Sequence, residues 1–248
     1  EVWRICMSSG ISPRNGMPSS TAFAFAPQMQ ASIAIHGRAE RFPVHRIYCV
    51  GRNFADHAKE MGVEAPKGNP VFFMKPGDAV IQSPAIPYPC ATGDLHHEVE
   101  LVVALGPDIP EPLTQANAES AIFGYAVGLD LTRRDLQAIA KEKRLPWDTA
   151  KGFDASAPVS ALVERRQAKI SPETLLRLRV NGEVRQESIL ADMIFPVPEI
   201  LLALSKLYTL QSGDLIFMGT PSGVAALRRG DDFHAALVDI VAFEGSIV

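Results

Sequence analysis

Cysteine is scarce in this sequence, and its few residues are widely separated. Cys6, Cys49 and Cys90 are odd in number and match neither a disulfide framework nor a C-x-x-C metal site. Distant, unpaired thiols favour a reducing compartment, and we therefore expect a cytoplasmic protein.

Long apolar runs and an excess of basic residues are also missing. Proline, glycine or a charged residue interrupts every apolar stretch before the roughly 18 residues that a membrane span needs. The formal net charge of -4 leaves no basic surplus to neutralise phosphates. We therefore expect no membrane or nucleic-acid partner, and an anionic substrate would need a local positive site.

The residues that are present suit one β-rich domain. Of the 248 residues, 47% are hydrophobic, which is enough to build a core. Frequent turn signals, without repeats or low-complexity linkers, predict many short strands and few helices. Residues 1–16 show no hydrophobic periodicity and Met17 would make a sensible start, so we expect 1–16 to be a disordered leader or cloning remnant. The single domain is then 17–248.

Local patterns predict several elements. Strands are expected at 46–51 and 121–131, and Asn181-Gly182 is typical of a two-residue hairpin turn. Thr132, with Asp135 three residues on, predicts a capping box at the start of a helix. Pro198 predicts the first turn of an amphipathic helix. Its apolar stripe comprises Ile200, Leu201, Leu204 and Leu207.

The stretch DLHHEVELVV, residues 94–103, places ionisable groups beside a core-like strand. Strand alternation separates its side chains into two faces, one with Val99, Leu101 and Val103 and the other with His96, Glu98 and Glu100. Two adjacent carboxylates repel each other unless a cation lies between them. A half-exposed edge strand with solvated glutamates explains the same pattern, so both interpretations stay open.

Asp130 is the best candidate for a third oxygen ligand. It ends a hydrophobic strand just before a helix, where functional sites are commonly built. Helix capping is an equally good interpretation of an aspartate at this place. The residues alone do not separate the two roles.

Seven blocks in order carry a resemblance to a known family. They are IYCVGRNFADHAKEMG, FFMKP, DLHHEVELVVALG, GYAVGLDLTRRDLQ, LPWDTAKGFDASAP, VNGEVRQE and GDLIFMGTPSGV. From about residue 44 to about residue 245 the sequence resembles the fumarylacetoacetate hydrolase family, and within it the fumarylpyruvate and acylpyruvate hydrolases. The resemblance implies a β-rich α+β fold, a mixed β-sandwich roll with peripheral helices, and a homodimer.

The resemblance also implies a metal site and a catalytic set. Glu98, Glu100 and Asp130 match the ligands of one Mg²⁺ or Mn²⁺ per chain, whereas His96 and His97 match no ligand. The matched catalytic residues are His57, Glu60 and Lys151, and the matched substrate-binding residues are Arg134, Gln137 and Thr220. Without the resemblance, these would be interpreted as an exposed helix pair, surface charges and a turn residue.

The implied activity is metal-dependent hydrolysis of a carbon-carbon bond in a 2,4-dioxo acid. The best candidate is 3-fumarylpyruvate, cleaved to fumarate and pyruvate in gentisate-type aromatic catabolism. Alternatives within the family are a general acylpyruvase, an oxaloacetate decarboxylase, and a hydroxydienedioate isomerase or decarboxylase. A non-catalytic metal or carboxylate-binding protein is the alternative of another class, although every matched catalytic position is present. Arg133 or Arg134 could meet the distal fumaryl carboxylate.

Overall fold

The computed structural model describes residues 22–56 and 68–248. Residues 1–16 lie outside this part, and so does the His57 and Glu60 pair. The predicted leader and the role of that pair therefore stay predictions, as does the assignment of 17–248 to a single catalytic domain.

Short strands dominate the described residues, as the turn spacing predicts. They are β1 (Ser32–Ala34), β2 (Arg41–Pro43), β3 (Ile47–Gly51), β4 (Val71–Lys75), β5 (Val80–Ile81), β6 (Ala85–Ile86), β7 (Leu95–His96), β8 (Val99–Leu105), β9 (Ile122–Leu129), β10 (Thr132–Arg133), β11 (Ala157–Pro158), β12 (Val163–Glu164), β13 (Leu175–Val180), β14 (Glu183–Ile189), β15 (Leu215–Phe217), β16 (Ala226–Leu227), β17 (Asp232–Leu237) and β18 (Val241–Ile247). The helices whose full range lies within the described residues are α1 (Arg134–Lys143), α2 (Asp148–Lys151) and α3 (Val197–Ser205). Short 3-10 turns span Gly77–Ala79, Ala118–Ala121 and Leu190–Asp192.

Two larger sheets organise the described chain. One has six strands in the order β12-β9-β8-β15-β3-β4, and the other has five in the order β14-β13-β17-β18-β6. In the six-stranded sheet β15 pairs parallel with β3 and antiparallel with β8. Smaller sheets join β1 with β2, β11 with β5, and β10 and β16 with β7. These mixed sheets with few helices confirm the predicted β-rich α+β class.

The core lies on both faces of β8, every residue of which is buried. Val99, Leu101 and Val103 face the larger apolar cluster, which includes Leu176 and Phe233 of the five-stranded sheet. Val102 and Ala104 face a second cluster with Ile33, Phe217 and Leu162. The predicted alternation is therefore correct. The edge-strand interpretation is wrong, because β8 is paired on both sides and Glu100 is only 2% exposed.

Of the local predictions, one is confirmed, one is wrong and one is correct in part. The hairpin is confirmed, since Asn181 and Gly182 have φ values of 52° and 81° between β13 and β14. The capping box is wrong: the Thr132 hydroxyl donates to the Asp130 carbonyl, and no side chain caps α1. The amphipathic helix is present, but Leu207 lies beyond its end and is exposed.

Membrane-spanning helices were searched for in residues 22–56 and 68–248. No helix there is long and apolar enough to cross a bilayer.

Candidate active site

The three predicted carboxylates converge because β8 and β9 are antiparallel neighbours. Val99 pairs with Leu129, and the Asp130 N–H donates to the Glu98 carbonyl at 2.8 Å, which extends the pairing by one step. Glu98 therefore lies just before β8 and opposite Asp130. One carboxylate oxygen from each of Glu98, Glu100 and Asp130 lies within 4.8 Å of the others. All three residues are buried.

Burial makes these neighbouring carboxylates costly to ionise unless positive charge lies close to them. It raises the pKa of Glu100 well above its usual value, and the charges of Asp130 and Glu98 raise it further. Within the described residues the buried Oδ1 of Asp130 accepts no aligned hydrogen bond, although the Lys75 ammonium lies 2.8 Å away. Buried carboxylate oxygens are the ligands that Mg²⁺ and Mn²⁺ prefer. The donor set therefore fits a hard divalent cation.

Glu100 is held by the turn after β15. The Gly219 N–H donates to its Oε2 at 2.7 Å. Gly219 has a φ of 92°, and a Cβ at this position would lie 2.7 Å from the Asn53 Cβ. Only glycine lets the backbone approach this closely in the left-handed region.

Lys151, the last residue of α2, enters the cluster from the side. Its Nζ lies 2.7 Å from Glu98 Oε2 and 2.6 Å from Asp130 Oδ2, and the side chain is 2% exposed. Burial by itself lowers the pKa of this ammonium, but the charges of Asp130 and Glu98 outweigh it and raise the pKa above its usual value. Lys151 is therefore a buried cation at the site and not a surface charge.

Arg134 and Gln137 occupy the first turn of α1, where a spacing of three residues brings side chains together. The Arg134 guanidinium donates to Gln137 Oε1 at 2.6 Å and to Glu98 Oε1 at 2.5 Å. Asp135 fixes the start of the helix by accepting bonds from Thr92 Oγ1 and the Gly93 N–H. Both predicted substrate-facing residues of α1 thus border the carboxylates.

Thr220 is buried beside the cluster, and its hydroxyl is already engaged. It donates to the Val99 carbonyl at 2.9 Å and accepts from Gln186 Nε2 at 2.8 Å. A substrate carboxylate would therefore find the Thr220 hydroxyl proton already used within the protein.

The neighbouring His96 and His97 form hydrogen bonds with other protein side chains. His97 Nδ1 lies 2.9 Å from Gln186 Oε1, an oxygen that also accepts from the Val99 N–H. Burial lowers the pKa of His97 to about 4, which keeps its imidazole neutral. His96 bonds Asp94, and burial followed by the Arg134 charge lowers its pKa as well.

Lys75 is a site residue that the sequence reasoning missed. This lysine ends β4, its side chain is fully buried, and its Nζ lies 2.8 Å from Asp130 Oδ1. The same ammonium donates to the carbonyls of Leu131 and Lys151. Its only sequence signal is its place in the FFMKP block, because strand alternation assigns no role to a lysine at a strand end.

A cavity of about 110 Å³ opens over the carboxylates. Its cationic lining residues are Arg52, Arg134, Lys141 and Lys151. Its apolar lining includes Val50, Phe73 and Trp147. The cavity can thus hold an anion beside a cation-binding site.

Comparison with known proteins extends this picture. The family model described as the fumarylacetoacetate (FAA) hydrolase C-terminal domain matches residues 46–248. The mitochondrial oxaloacetate tautomerase of Bos taurus is 42% identical over 200 residues, covering 80% of this chain and 89% of that protein. The oxaloacetate tautomerase of Escherichia coli K12 is 42% identical over 194 residues, covering 77% of this chain and 87% of that protein.

Solved structures with high similarity to this chain point to the same family. A fumarylpyruvate hydrolase from Pseudomonas aeruginosa, described in complex with Mn²⁺ and pyruvate, superposes with a TM-score of 0.86 at 42% identity, covering 92% of this chain and 99% of that one. A putative fumarylpyruvate hydrolase from Burkholderia cenocepacia gives 0.84 at 46% identity, covering 92% and 98%. With the fold, the buried carboxylates and the family model in agreement, this chain is an enzyme that belongs to the fumarylacetoacetate hydrolase family.

Proposed function

We propose that this enzyme uses one Mg²⁺ or Mn²⁺ to hydrolyse a carbon-carbon bond of a 2,4-dioxo acid, with 3-fumarylpyruvate as the best candidate. The observation that carries the proposal is the buried triad of Glu98, Glu100 and Asp130 at the base of a cationic cavity. The manganese and pyruvate named for the Pseudomonas aeruginosa structure support the same chemistry.

The triad would hold the cation, and the cavity would hold the acid. A divalent cation bound by Glu98, Glu100 and Asp130 supplies a Lewis acid for the carboxylate and 2-oxo oxygens of the substrate. Arg134 and Lys151 already donate to Glu98, so they fix the orientation of that ligand. Lys151 is also placed to donate to an oxyanion beside the triad.

The proposed reaction adds water to the 4-carbonyl. The bond between carbons 3 and 4 then breaks, and its electron pair stays with carbon 3 as the enolate of pyruvate. Protonation of that carbon gives pyruvate, and the acyl group leaves as fumarate. His57, oriented by Glu60, is proposed to take the proton from water. This pair lies outside the described residues and rests on the family resemblance.

Oxaloacetate tautomerisation is the second candidate. It is favoured by the names of the Bos taurus and Escherichia coli relatives. Tautomerisation moves a proton between carbon and oxygen without adding water, so the same cationic site could serve it.

Parallel assays separate the two candidates. The loss of enol absorbance would be followed for fumarylpyruvate and acetylpyruvate, and keto-enol exchange would be followed for oxaloacetate, with Mg²⁺ or Mn²⁺ and an EDTA control. We expect metal-dependent cleavage of fumarylpyruvate to fumarate and pyruvate. Fast oxaloacetate exchange without cleavage of either acylpyruvate would contradict hydrolysis and favour the tautomerase.

Variants test the assigned roles. Glu98→Gln and Asp130→Asn should abolish metal-dependent turnover, because each removes an anionic ligand. His57→Ala should retain Mn²⁺ binding in a titration but lose hydrolysis. Full activity in either ligand variant would contradict the metal assignment.

We further propose a homodimer, as the family resemblance implies, and a location in the cytoplasm, as the scattered cysteines suggest. Light scattering of the purified protein during size-exclusion chromatography measures the mass directly. A monomeric mass at micromolar concentration would contradict the dimer.

A further inference from the structure

We propose that Arg52 and Lys141 form a second anion-binding subsite, which receives the distal carboxylate of a dicarboxylic 2-oxo acid. This inference deepens the proposed function and depends on the 2-oxo acid end being held over the carboxylate triad. It assigns the selectivity for a second carboxylate to two residues outside the predicted catalytic and substrate-binding set.

Position is the first argument. Arg52, just after β3, and Lys141, in the last turn of α1, line the same cavity as Glu98, Glu100 and Asp130. A ligand anchored at the triad therefore has both cations within the walls of its own cavity.

Charge balance is the second argument. The three carboxylates of the triad face three close cations, Lys75, Lys151 and Arg134, each within 2.8 Å of a triad oxygen. In contrast, Arg52 and Lys141 form no ion pair with any residue of 22–56 or 68–248. They add positive charge to the cavity wall that the carboxylates of the described residues do not pair with.

The surroundings of Lys141 fit an anion receptor. Its side chain is exposed as a whole, but the ammonium lies 5.4 Å from the centre of the Trp147 ring. Partial desolvation there, followed by the charges of Arg134 and Arg52 among others, lowers the pKa of Lys141. A bound carboxylate would relieve this repulsion between like charges.

Arg52 is fixed by its backbone. Its φ of 61° is uncommon for a residue other than glycine, and such conformations cluster at functional sites. The next residue, Asn53, is fully buried and donates to the carbonyls of Phe195 and Met218 at 3.0 and 2.8 Å. The Phe195 N–H donates back to the Asn53 side chain. This anchor holds Arg52 in place at the cavity wall.

The arginines suggested by the sequence are engaged elsewhere. The Arg133 guanidinium stacks 4.4 Å from the centre of the Phe153 ring and donates to the Thr149 carbonyl. Arg133 is not among the residues that line the cavity. Arg134 is paired with Glu98.

Two matched ligands test the subsite without turnover. 2-Oxoheptanedioate has the chain length of fumarylpyruvate and a carboxylate at each end, whereas 2-oxoheptanoate lacks the distal carboxylate. Neither has the 4-oxo group, so neither can be hydrolysed. Isothermal titration of the Mn²⁺-loaded enzyme should show roughly tenfold or greater preference for the diacid, as expected for a charge-assisted contact.

Arg52→Asn combined with Lys141→Gln should remove most of this preference and leave 2-oxoheptanoate affinity within about twofold, because only the distal contact is lost. Asparagine is chosen because it tolerates the left-handed backbone conformation. Lys143→Gln, an exposed position on the same helix, is the matched control and should keep the preference. Thermal unfolding and Mn²⁺ titration of each variant verify that fold and metal site are intact.

The outcomes separate this inference from the proposed function. Equal affinity of the wild type for both ligands, or a preference that survives in the double variant, would overturn the subsite even if fumarylpyruvate is hydrolysed. A preference that the double variant loses, in an enzyme that cleaves neither acylpyruvate, would support the subsite and refute hydrolysis.

Discussion

Lys75 shows how one buried residue can organise a site without belonging to the predicted set. Its ammonium joins the Asp130 carboxylate to the carbonyls of Leu131 and Lys151, which belong to different segments. A lysine is rarely this deeply buried unless its charge is paired. We therefore assign Lys75 as a positioning residue for Asp130 and Lys151.

Replacing Lys75 tests that assignment. Lys75→Met keeps much of the side-chain volume but removes the ammonium beside the buried Asp130 Oδ1 and two carbonyls, leaving Lys151 as the remaining cation at Asp130. We expect a loss of about 3 kcal/mol or more in the free energy of unfolding. Mn²⁺ affinity should fall as well, because Asp130 loses its orientation. Urea denaturation and metal titration measure the two effects. The exposed Lys206→Met is the control, and wild-type stability in Lys75→Met would contradict the assignment.

The two described cysteines, Cys49 and Cys90, provide a second test at the level of single residues. Cys49 is fully buried in β3, and burial followed by the Asp130 charge raises the pKa of its thiol well above the usual value. Cys90 is exposed. In a Cys6→Ser background, a thiol reagent should label Cys90 and spare Cys49 until the protein unfolds. Rapid labelling of both thiols in the folded protein would contradict this burial.

The ionisation of Cys49 also makes the free energy of unfolding depend on pH. Because its folded-state pKa is raised, the folded thiol keeps its proton while the unfolded thiol ionises. The contribution of the Cys49 thiol to the free energy of unfolding is complete below the pKa of the unfolded thiol, about 8.5. It is lost as the pH rises above that value. Cys49→Ala should therefore show a shallower alkaline decrease in the free energy of unfolding than the wild type. Parallel decreases would contradict the assignment.

Among the elements, β8 and β9 determine the site. Their antiparallel register sets Glu98 opposite Asp130, and the neighbouring strand β12 holds β9 in place. Gly124 of β9 lies against β12 so closely that a Cβ would be 2.5 Å from the Val163 carbonyl oxygen. Backbone cannot move aside as a flexible side chain can.

Gly124→Ala should therefore separate β12 from β9. We expect a decrease of about 1 to 3 kcal/mol in the free energy of unfolding, the usual cost of overpacking. Gly93→Ala is the matched control, because a Cβ there meets nothing within 4 Å. Equal stability of the two variants in urea would show that β12 can shift freely.

For the whole molecule, cation binding should couple to stability. The three carboxylates are brought together only in the folded state, so a cation that they bind stabilises that state, and a ligand at one hundred times its dissociation constant adds about 2.7 kcal/mol. We expect Mn²⁺ to raise the melting temperature of the wild type and to leave that of Asp130→Asn nearly unchanged. Differential scanning calorimetry with and without EDTA measures this. An equal rise in both proteins would contradict binding at the triad.

Much of the architecture and part of the site were predictable from the sequence. The alternation of Val99, Leu101 and Val103 gave the burial pattern of β8, and Asn181-Gly182 gave a hairpin, because both depend on local geometry. The carboxylate pair Glu98 and Glu100 is local in the same sense. Family resemblance supplied Lys151, which spacing alone would have left as a surface charge.

Other features required distant segments to meet. Thr132 and Asp135 matched a capping box, but the Asp135 side chain accepts hydrogen bonds from Thr92 and Gly93 in a distant loop. The Thr132 hydroxyl donates instead to the nearby Asp130 carbonyl. No local pattern indicates that Lys75 of β4 reaches Asp130 beyond β9, or that Arg52 and Lys141 line one cavity.

The sequence by itself determined the β-rich class, the two faces of β8 and the adjacent glutamates, since each depends on residues a few positions apart. Tertiary structure alone decided which of the described charges are buried, which are paired and which line the cavity. Burial and charge pairing depend on side chains that are brought together from distant parts of the chain when the sheets pack.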